Sequence, residues 1–590
     1  MFKILKYLKP YTFQTVMAML FLVLNNATTL ILPLMLSKII NNGVTEGKIL
    51  YIISTGIQML LISLFGIITS IIGSYFAAKA SMGFGATLRR EIFTQVERLS
   101  PGDIETIGIP SLITRSTNDV KHIQDMIVNG LRMIIAAPVL LIGGAILAVF
   151  MNPQLSTVIL TALPIIGLIV FLVARKVIPM FDEMEKRTDR LNQVIREKIS
   201  GIRVIRAFSR TEYEDEKFDE ASGRLTFLAL KINRIVALLI PIGVSILFAM
   251  VISLVWLSTM QVNRLDPVTQ TLAIENTVGD LQAFILYLIA ILVALVLAAT
   301  MFIMVPYGTI SANRILEVLN IEPTVKDSDE PIIPDENIKG ELEFRNVTFG
   351  YPDAENPILN NISFKIEKGE TVAIIGSTGS GKSTLINLIP RFFDVTGGEI
   401  LVDGVNIKDI PLDVLNGKIG FVPQKAVLFS GTVADNLKFG KHDATVKQIE
   451  RALDISQSTE FVNNLPNKVY EMISQGGNTL SGGQKQRLAI ARALIKNAEF
   501  FIFDDSFSAV DLKTDAALRK SLHDNLSEAT VILVAQRIGT IQNCDKIIVL
   551  EDGKIVGIGK HRELLETCSV YREIADSQYS VEEDGGEQVG

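Results

Sequence analysis

Gly376-Ser377-Thr378-Gly379-Ser380-Gly381-Lys382-Ser383-Thr384 has the spacing G-x-x-x-x-G-K-S of a phosphate-binding loop. Glycines in such a loop let backbone N–H groups close around phosphate oxygens, and a following helix N-terminus favours the negative charge. Lys382 is of the right type to reach the β- and γ-phosphates, and the Ser383 hydroxyl to ligate Mg²⁺. Farther along, Phe500-Phe501-Ile502-Phe503-Asp504 is an apolar run ending in a carboxylate. A buried parallel strand of this kind delivers its acid at the C-terminal edge of an α/β sheet, where Asp504 would hold Mg²⁺. Leu480-Ser481-Gly482-Gly483-Gln484 lies between the two, ahead of a helix expected over Lys485–Ile495. It reads either as a second anion site or as a plain capping turn. Tyr351, upstream of the loop, could stack on a base or belong to the core.

The elements that must position these residues follow from the pattern around them. Glu370–Ile375 predicts a buried strand before the loop and Leu385–Ile389 a helix after it, the context the motif requires. Glu341–Val347 alternates as a further strand, after an acidic, proline-bearing linker at Lys326–Asn337.

The remaining half of the chain is of another kind. The 590 residues are 48% apolar and 20% charged, with a mean hydropathy of +0.37, and the uncharged runs all precede Leu316. A membrane span needs about 20 apolar residues. Six spans are predicted: Pro10–Ser37, Ile49–Ala78, two within Met133–Ala174 divided by a turn at Asn152-Pro153-Gln154, Ile235–Asn263 and Leu281–Asn313. No cleavable signal peptide is recognisable, so the first apolar segment reads as a retained span. The loops Lys38–Lys48, Asn152–Gln154 and Val262–Asp280 carry few cations, Arg264 alone in the last. The opposite side carries Lys3, Lys6, Lys9, Lys79, Arg89, Arg90, Arg175, Lys176 and others. The bias of positive charge toward the inside puts both termini in the cytoplasm. The connections Lys79–Arg132 and Arg175–Arg234 are read as helical continuations of the spans, with Leu191, Val194, Ile195, Ile199 and Ile202 at helical spacing. Pro110–Arg115 and Phe208–Tyr213 are the expected cross-pieces at their ends. The two cysteines, Cys544 and Cys568, imply no disulfide framework, and a net charge of −7 argues against a nucleic-acid partner.

Phosphate loop, Leu480–Gln484 and the Asp504 strand, following six spans, together resemble an ATP-binding cassette (ABC) transporter of the exporter type, in half-transporter form. The resemblance covers nearly the whole chain. It implies an α-helical transmembrane domain of six spans with long cytoplasmic extensions, then an α/β P-loop NTPase cassette with a helical subdomain. The expected bounds are 1–320 for the membrane domain, 321–339 for a linker, 340–576 for the cassette and 577–590 for a disordered acidic tail. In the family pattern Tyr351 matches the adenine-stacking aromatic and Gln424 the glutamine that senses the γ-phosphate and Mg²⁺. Ser508-Ala509-Val510-Asp511 matches the loop that crosses to a partner cassette. Ser481, Gly482, Gly483 and Gln484 match the signature that completes the partner's ATP site.

Three positions depart from the pattern. Asp505 stands where the family has a glutamate that polarises the attacking water, Gln536 where it has a histidine, and Ser474-Gln475-Gly476-Gly477 where a glutamate is usual. A carboxylate one methylene short is misplaced by about 1 Å, which can cost about 10²-fold in rate. Glutamine can hydrogen-bond but carries no charge. The resemblance with these departures implies a chain that binds ATP and Mg²⁺ but hydrolyses poorly at its own site, paired with a second, non-identical half-transporter. Asn25, Asn26, Thr28, Thr29, Gln58, Gln282 and Tyr287 are scattered over aliphatic spans without a deep charge. That favours lipophilic drugs or lipids as cargo, unless these groups only bond between helices. Peptide export, or a sensor role without net transport, is the alternative; a soluble ATPase is excluded by the spans.

Overall fold

A computed structural model describes residues 3–586 apart from 264–270, 336–338, 353 and 478. Arg264 and the end of the linker, Glu336 and Asn337, thus lie outside the described residues. The chain forms two compact units, 1–97 with 108–321, and 98–107 with 322–590.

Among the described residues of the first unit, six helices are long and apolar enough to cross a membrane. They lie in α1 (Thr12–Ile39), α2 (Ile49–Arg98), α5 (Val120–Met151), α6 (Pro153–Ser200), α8 (Thr211–Val262) and α9 (Thr271–Leu319), with short α3 (Pro101–Ile107), α4 (Ile109–Thr114) and α7 (Ile202–Ala207) between them. Helices α2, α6, α8 and α9 run for 50, 48, 52 and 49 residues. At 1.5 Å per residue each exceeds about 70 Å, more than twice an apolar bilayer core of about 30 Å. The predicted helical continuations are therefore present. The turn between α5 and α6 is where the sequence puts it: Asn152 caps α6, its Oδ1 accepting from Gln154 N at 3.1 Å and Leu155 N at 3.2 Å, with Pro153 next. Phe284, Tyr287, Leu288 and Ile291 of α9 form the centre of the bundle with Leu140 and Ala148 of α5, Ile159 of α6 and Leu254 of α8.

Short helices stand at or just before the expected cross-pieces. Pro110–Arg115 coincides with α4 and the turn after it, but the segment that joins the second unit is α3, set off from α4 by Gly108 at φ +82°. Phe208–Tyr213 spans only a turn and the start of α8, and a short helix, α7, precedes it after Gly201 ends α6. The apolar stripe on α6 is buried at Val194 but open at Ile199 and, beyond the helix, at Ile202.

The second unit is built on a six-stranded sheet in the order β12-β11-β3-β10-β9-β6: β3 (Thr371–Gly376), β6 (Ile419–Val422), β9 (Phe500–Asp504), β10 (Thr530–Val534), β11 (Lys546–Glu551) and β12 (Lys554–Gly559). All neighbours are parallel except the edge strand β12. Four of the five β9 residues are apolar and all five are buried, as a strand covered on both faces demands. Alternate side chains feed two cores. Ala373, Ile375, Phe501, Phe503 and Leu533 face α12 (Val433–Lys438), α13 (Val446–Ile455), α14 (Thr459–Asn463) and α15 (Gly482–Leu494), the helical subdomain. Val372, Ile374, Phe500, Ile502 and Ile532 face α10 (Lys382–Asn387), α11 (Leu412–Gly417) and an antiparallel sheet of β1 (Leu342–Phe349), β2 (Leu359–Ile366), β4 (Gly397–Val402) and β5 (Val405–Asn406). The pair β7 (Gly431–Thr432) and β8 (Met472–Ile473) lies beside the subdomain; α16 (Leu512–Asn525), α17 (Ile538–Ile541), α18 (His561–Thr567) and α19 (Ser569–Gly586) complete the unit.

Three expected boundaries shift. Residues 98–107 belong with the cassette unit rather than the membrane unit. There Asp103 Oδ2 accepts from Ser100 N at 3.0 Å and from Thr324 N at 3.2 Å. The start of the linker is strapped to the cassette rather than free: Arg391 donates to Lys326 O at 2.8 Å, Leu412 N to Asp327 Oδ1 at 2.8 Å and Ile332 N to Asp409 O at 2.7 Å. The acidic tail, expected without regular structure from Ser577, continues as helix in α19 to Gly586.

Candidate functional site

Register brings the phosphate loop and the acids to one edge. Strands β10 and β9 end level, Val534 pairing with Asp504 on one side and with Ile374 on the other, β3 runs on to Gly376, and Val422 of β6 pairs with Phe503. Gly376, Gln536, Asp504 and Gln424 each follow or close one of these strands, so a single parallel sheet collects residues up to 160 positions apart at its C-terminal edge (536 − 376). Gln536, Asp504 and Gln424 line a cleft of about 290 Å³ with Thr378, Gly379, Gly381, Lys382, Ser383, Thr384 and Asp505, while Gly376 lies outside its lining. Two glycines are steric requirements. A Cβ on Gly376 would stand 2.0 Å from Leu550 O, and Gly381, at φ +96°, would drive one to 2.8 Å from the Leu359 side chain.

Lys382 Nζ donates to Gly376 O at 2.9 Å and Ser377 O at 2.7 Å, so the ammonium is folded back over its own loop. Ser383 Oγ donates to Asp504 Oδ1 at 3.3 Å. Burial pushes the Lys382 pKa down against the pull of Asp504 and Asp505. Burial pushes the Asp504 pKa up, helped by the neighbouring Asp505 charge and opposed by the Ser383 bond and Lys382. Hard oxygens on Ser383, Asp504 and Gln424 are the donor chemistry Mg²⁺ takes, and two adjacent carboxylates raised by burial suit a cation between them and a polyphosphate.

Asp505 is the most constrained residue. Its backbone sits at φ +43°, its N–H extends the ladder to Val534 O at 2.9 Å, and Ser508 Oγ donates to its carbonyl at 3.0 Å. Its Oδ2 accepts from Gln424 Nε2 at 3.3 Å and from Gln536 Nε2 at 3.0 Å. Asp505 and Gln536, the two positions read from the sequence as departures, therefore touch through this oxygen. Burial raises the Asp505 pKa, while the Gln424 bond, Lys382 and Arg537 lower it.

The other predicted site residues lie elsewhere. Ser481 and Gln484 form a reciprocal cap on α15, Ser481 N donating to Gln484 Oε1 at 2.9 Å and Gln484 N to Ser481 Oγ at 3.3 Å. The helix begins at Gly482, three residues before the predicted start, so the pentapeptide caps its own helix. Asp511 caps α16 by accepting from Thr514 N at 3.0 Å. Ser377 and Ser380 are loop residues outside the cleft lining. Tyr351 is half-buried, edge-on to Phe349 and Phe393 at 5.1 and 5.3 Å, with its hydroxyl 3.5 Å from Thr384 Oγ1. Sequence reasoning passed over Ile358 and Val534, which also line the cleft. No pattern marks Ile358, which reaches the site from the loop before β2. Among the polar groups of the spans, Asn26, Thr28 and Thr29 bond within their own helix, whereas Tyr287 reaches from α9 to Leu30 O of α1 at 3.1 Å.

Comparison with known proteins agrees with this architecture. The family description "ABC transporter transmembrane region" matches residues 15–305 and "ABC transporter" residues 359–508. An uncharacterized ABC transporter ATP-binding protein of Mycobacterium tuberculosis is 35% identical over 97% of both chains. The ABC transporter ATP-binding protein YfiB of Bacillus subtilis is 33% identical over 98% of this chain and 99% of its own. An ATP-dependent lipid A-core flippase of Hahella chejuensis is 31% identical over 91% of this chain and 89% of its own. A bacterial Atm1-family ABC exporter solved with ATP bound shares the fold, with a TM-score of 0.81 at 24% identity over 96% of this chain and 99% of that one. The chain belongs to the ABC transporters, multi-pass membrane proteins whose ATP-binding cassette is an ATPase coupled to transport, and it is a half-transporter of the exporter fold.

Proposed function

We propose that this chain is the slow-hydrolysing half of a heterodimeric exporter that moves lipophilic compounds, drugs or lipids, across the cytoplasmic membrane. The observation that carries the reading is the single Asp505 oxygen that accepts from both Gln424 and Gln536. A carboxylate so held is short of the reacting water, and the residue opposite it carries no charge. The binding parts are intact. The loop N–H groups and Lys382 hold the phosphates, Tyr351 offers a face to the base, and Ser383, Asp504 and Gln424 would hold Mg²⁺, which neutralises phosphate charge when bound. The signature at Ser481–Gln484 and the Asp511 segment complete a competent site on a non-identical partner. ATP draws the cassettes together because the closed state binds it more tightly, α3 and α7 carry closure to the spans, and hydrolysis on the partner's side resets them. The loop cations put both termini in the cytoplasm. The aliphatic spans, and a relative named as a lipid A-core flippase, favour an amphipathic lipid or drug over a peptide.

The test is to isolate the tagged chain from its native membrane and weigh what accompanies it. A stoichiometric second half-transporter is expected, and Asp505→Glu should raise the ATPase rate of that pair. A dimer of this chain alone with vigorous ATPase activity overturns the reading.

A further inference from the structure

Helix α19 reaches the segment that carries Gln536. It is anchored by Tyr571 and Ala575, both fully buried, and by the Tyr571 hydroxyl 2.7 Å from His561 Nδ1. One turn farther along the same face, Gln578 meets the segment that follows β10. Its Nε2 donates to Gln536 O at 2.7 Å and its Oε1 accepts from Ile538 N at 2.8 Å. A single side-chain amide thus pairs with a carbonyl and an N–H two residues apart, as a neighbouring strand's peptide would. Ile538 N is also the first N–H of α17, which no helical carbonyl can satisfy. Only a side chain with both a donor and an acceptor at this length can do both, and Gln is that side chain. The same Gln536 whose carbonyl is held by Gln578 sends its own amide to Asp505 at 3.0 Å.

We infer that Gln578 is a positioning residue for the ATP site: it fixes the backbone at Gln536 so that the Gln536 amide stays on Asp505. The inference rests on reading the cleft as that site. The C-terminal helix thereby becomes part of the site's support, although it is 42 residues from Gln536 in sequence (578 − 536).

The test uses the full-length chain with whatever partner it brings. The dwell time of 8-azido-ATP is read by photolabelling this chain after a chase, with Lys382→Ala as the control that sharply weakens the label. Gln536→Ala and Gln578→Ala should each speed release by about 3- to 10-fold, the effect of one or two hydrogen bonds. The double variant should be no faster than the singles, because Gln578 acts through Gln536. Gln578→Glu keeps the acceptor for Ile538 N but loses the donor to Gln536 O. It should release as fast as Gln578→Ala with an unaltered melting temperature, which separates positioning from unfolding. A Gln578→Ala dwell time equal to the parent's overturns the inference. So do losses that multiply in the double variant, and a Gln578 effect where Gln536→Ala has none. Labelling that is indifferent to Lys382 overturns the assignment of the cleft, and this inference with it.

Discussion

Two amides on one carboxylate oxygen set the character of the site at residue scale. The left-handed backbone of Asp505 adds a second constraint, since Asp tolerates φ > 0 better than longer side chains. Asp505→Glu should therefore cost up to about 1 kcal/mol of cassette stability while raising turnover, a split that melting and ATPase assays on the same preparation would reveal. Lys382→Ala removes a charge-assisted contact worth about 1.5–3 kcal/mol and should weaken ATP binding by about 10- to 150-fold. Asp504 gives a prediction in pH. Its folded pKa is raised by burial, so folding favours its protonated form. The stability it contributes is present below the ordinary aspartate range and is lost as pH rises through the raised value. Near neutral pH, without nucleotide or Mg²⁺, Asp504→Asn should thus raise the melting temperature, and the gain should shrink on acidification toward the ordinary range. A gain that grows on acidification would contradict the buried-carboxylate account.

Caps and close approaches decide matters at the scale of elements. Thr445 and Gln448 form a reciprocal cap on α13, with Thr445 N donating to Gln448 Oε1 at 2.9 Å. Thr445→Ala should cost about 1 kcal/mol in chemical denaturation of the cassette. Helix α3 sits closer to its neighbours than a side chain would allow: a Cβ on Gly102 would stand 2.6 Å from the Phe393 ring. That ring is edge-on to Tyr351, so the cross-piece rests on the aromatic cluster beside the phosphate loop. Gly102→Val should loosen the segment, seen as faster amide hydrogen exchange across residues 98–107, with the exchange of β9 unchanged.

For the whole molecule, six crossings and the distribution of cations make a prediction about sidedness. Tags at either end should be protected in right-side-out vesicles and open to protease in inverted ones. Tags found on opposite faces would remove a span from the count. The long helices make a second demand, since α2, α6, α8 and α9 are each too long for a bilayer. A large part of every one must stand in water, which the charged pairs Lys217–Glu197 and Arg187–Glu183 on α6 and α8 reflect.

Local chemistry settled what the sequence determined by itself. A glycine-rich turn between a buried strand and a helix, an apolar strand ending in Asp504, and six uncharged runs are written in contiguous residues, so periodicity and motif spacing suffice to read them. The substitutions at Asp505 and Gln536 are equally local. That the two touch, 31 positions apart, was decided only by the parallel register of β9 and β10, which sets Val534 beside Asp504. The same holds for the short helices: α3 and α7 begin where glycine or a helix end allows, yet α3's attachment depends on Thr324 and Phe393, more than 200 positions away. The acidic tail reads as unstructured because composition counts charge, whereas Tyr571, Ala575 and Gln578 make α19 a docked helix through partners no local window contains. Contacts between distant segments carry no periodicity along the chain, and so only the folded structure reveals them.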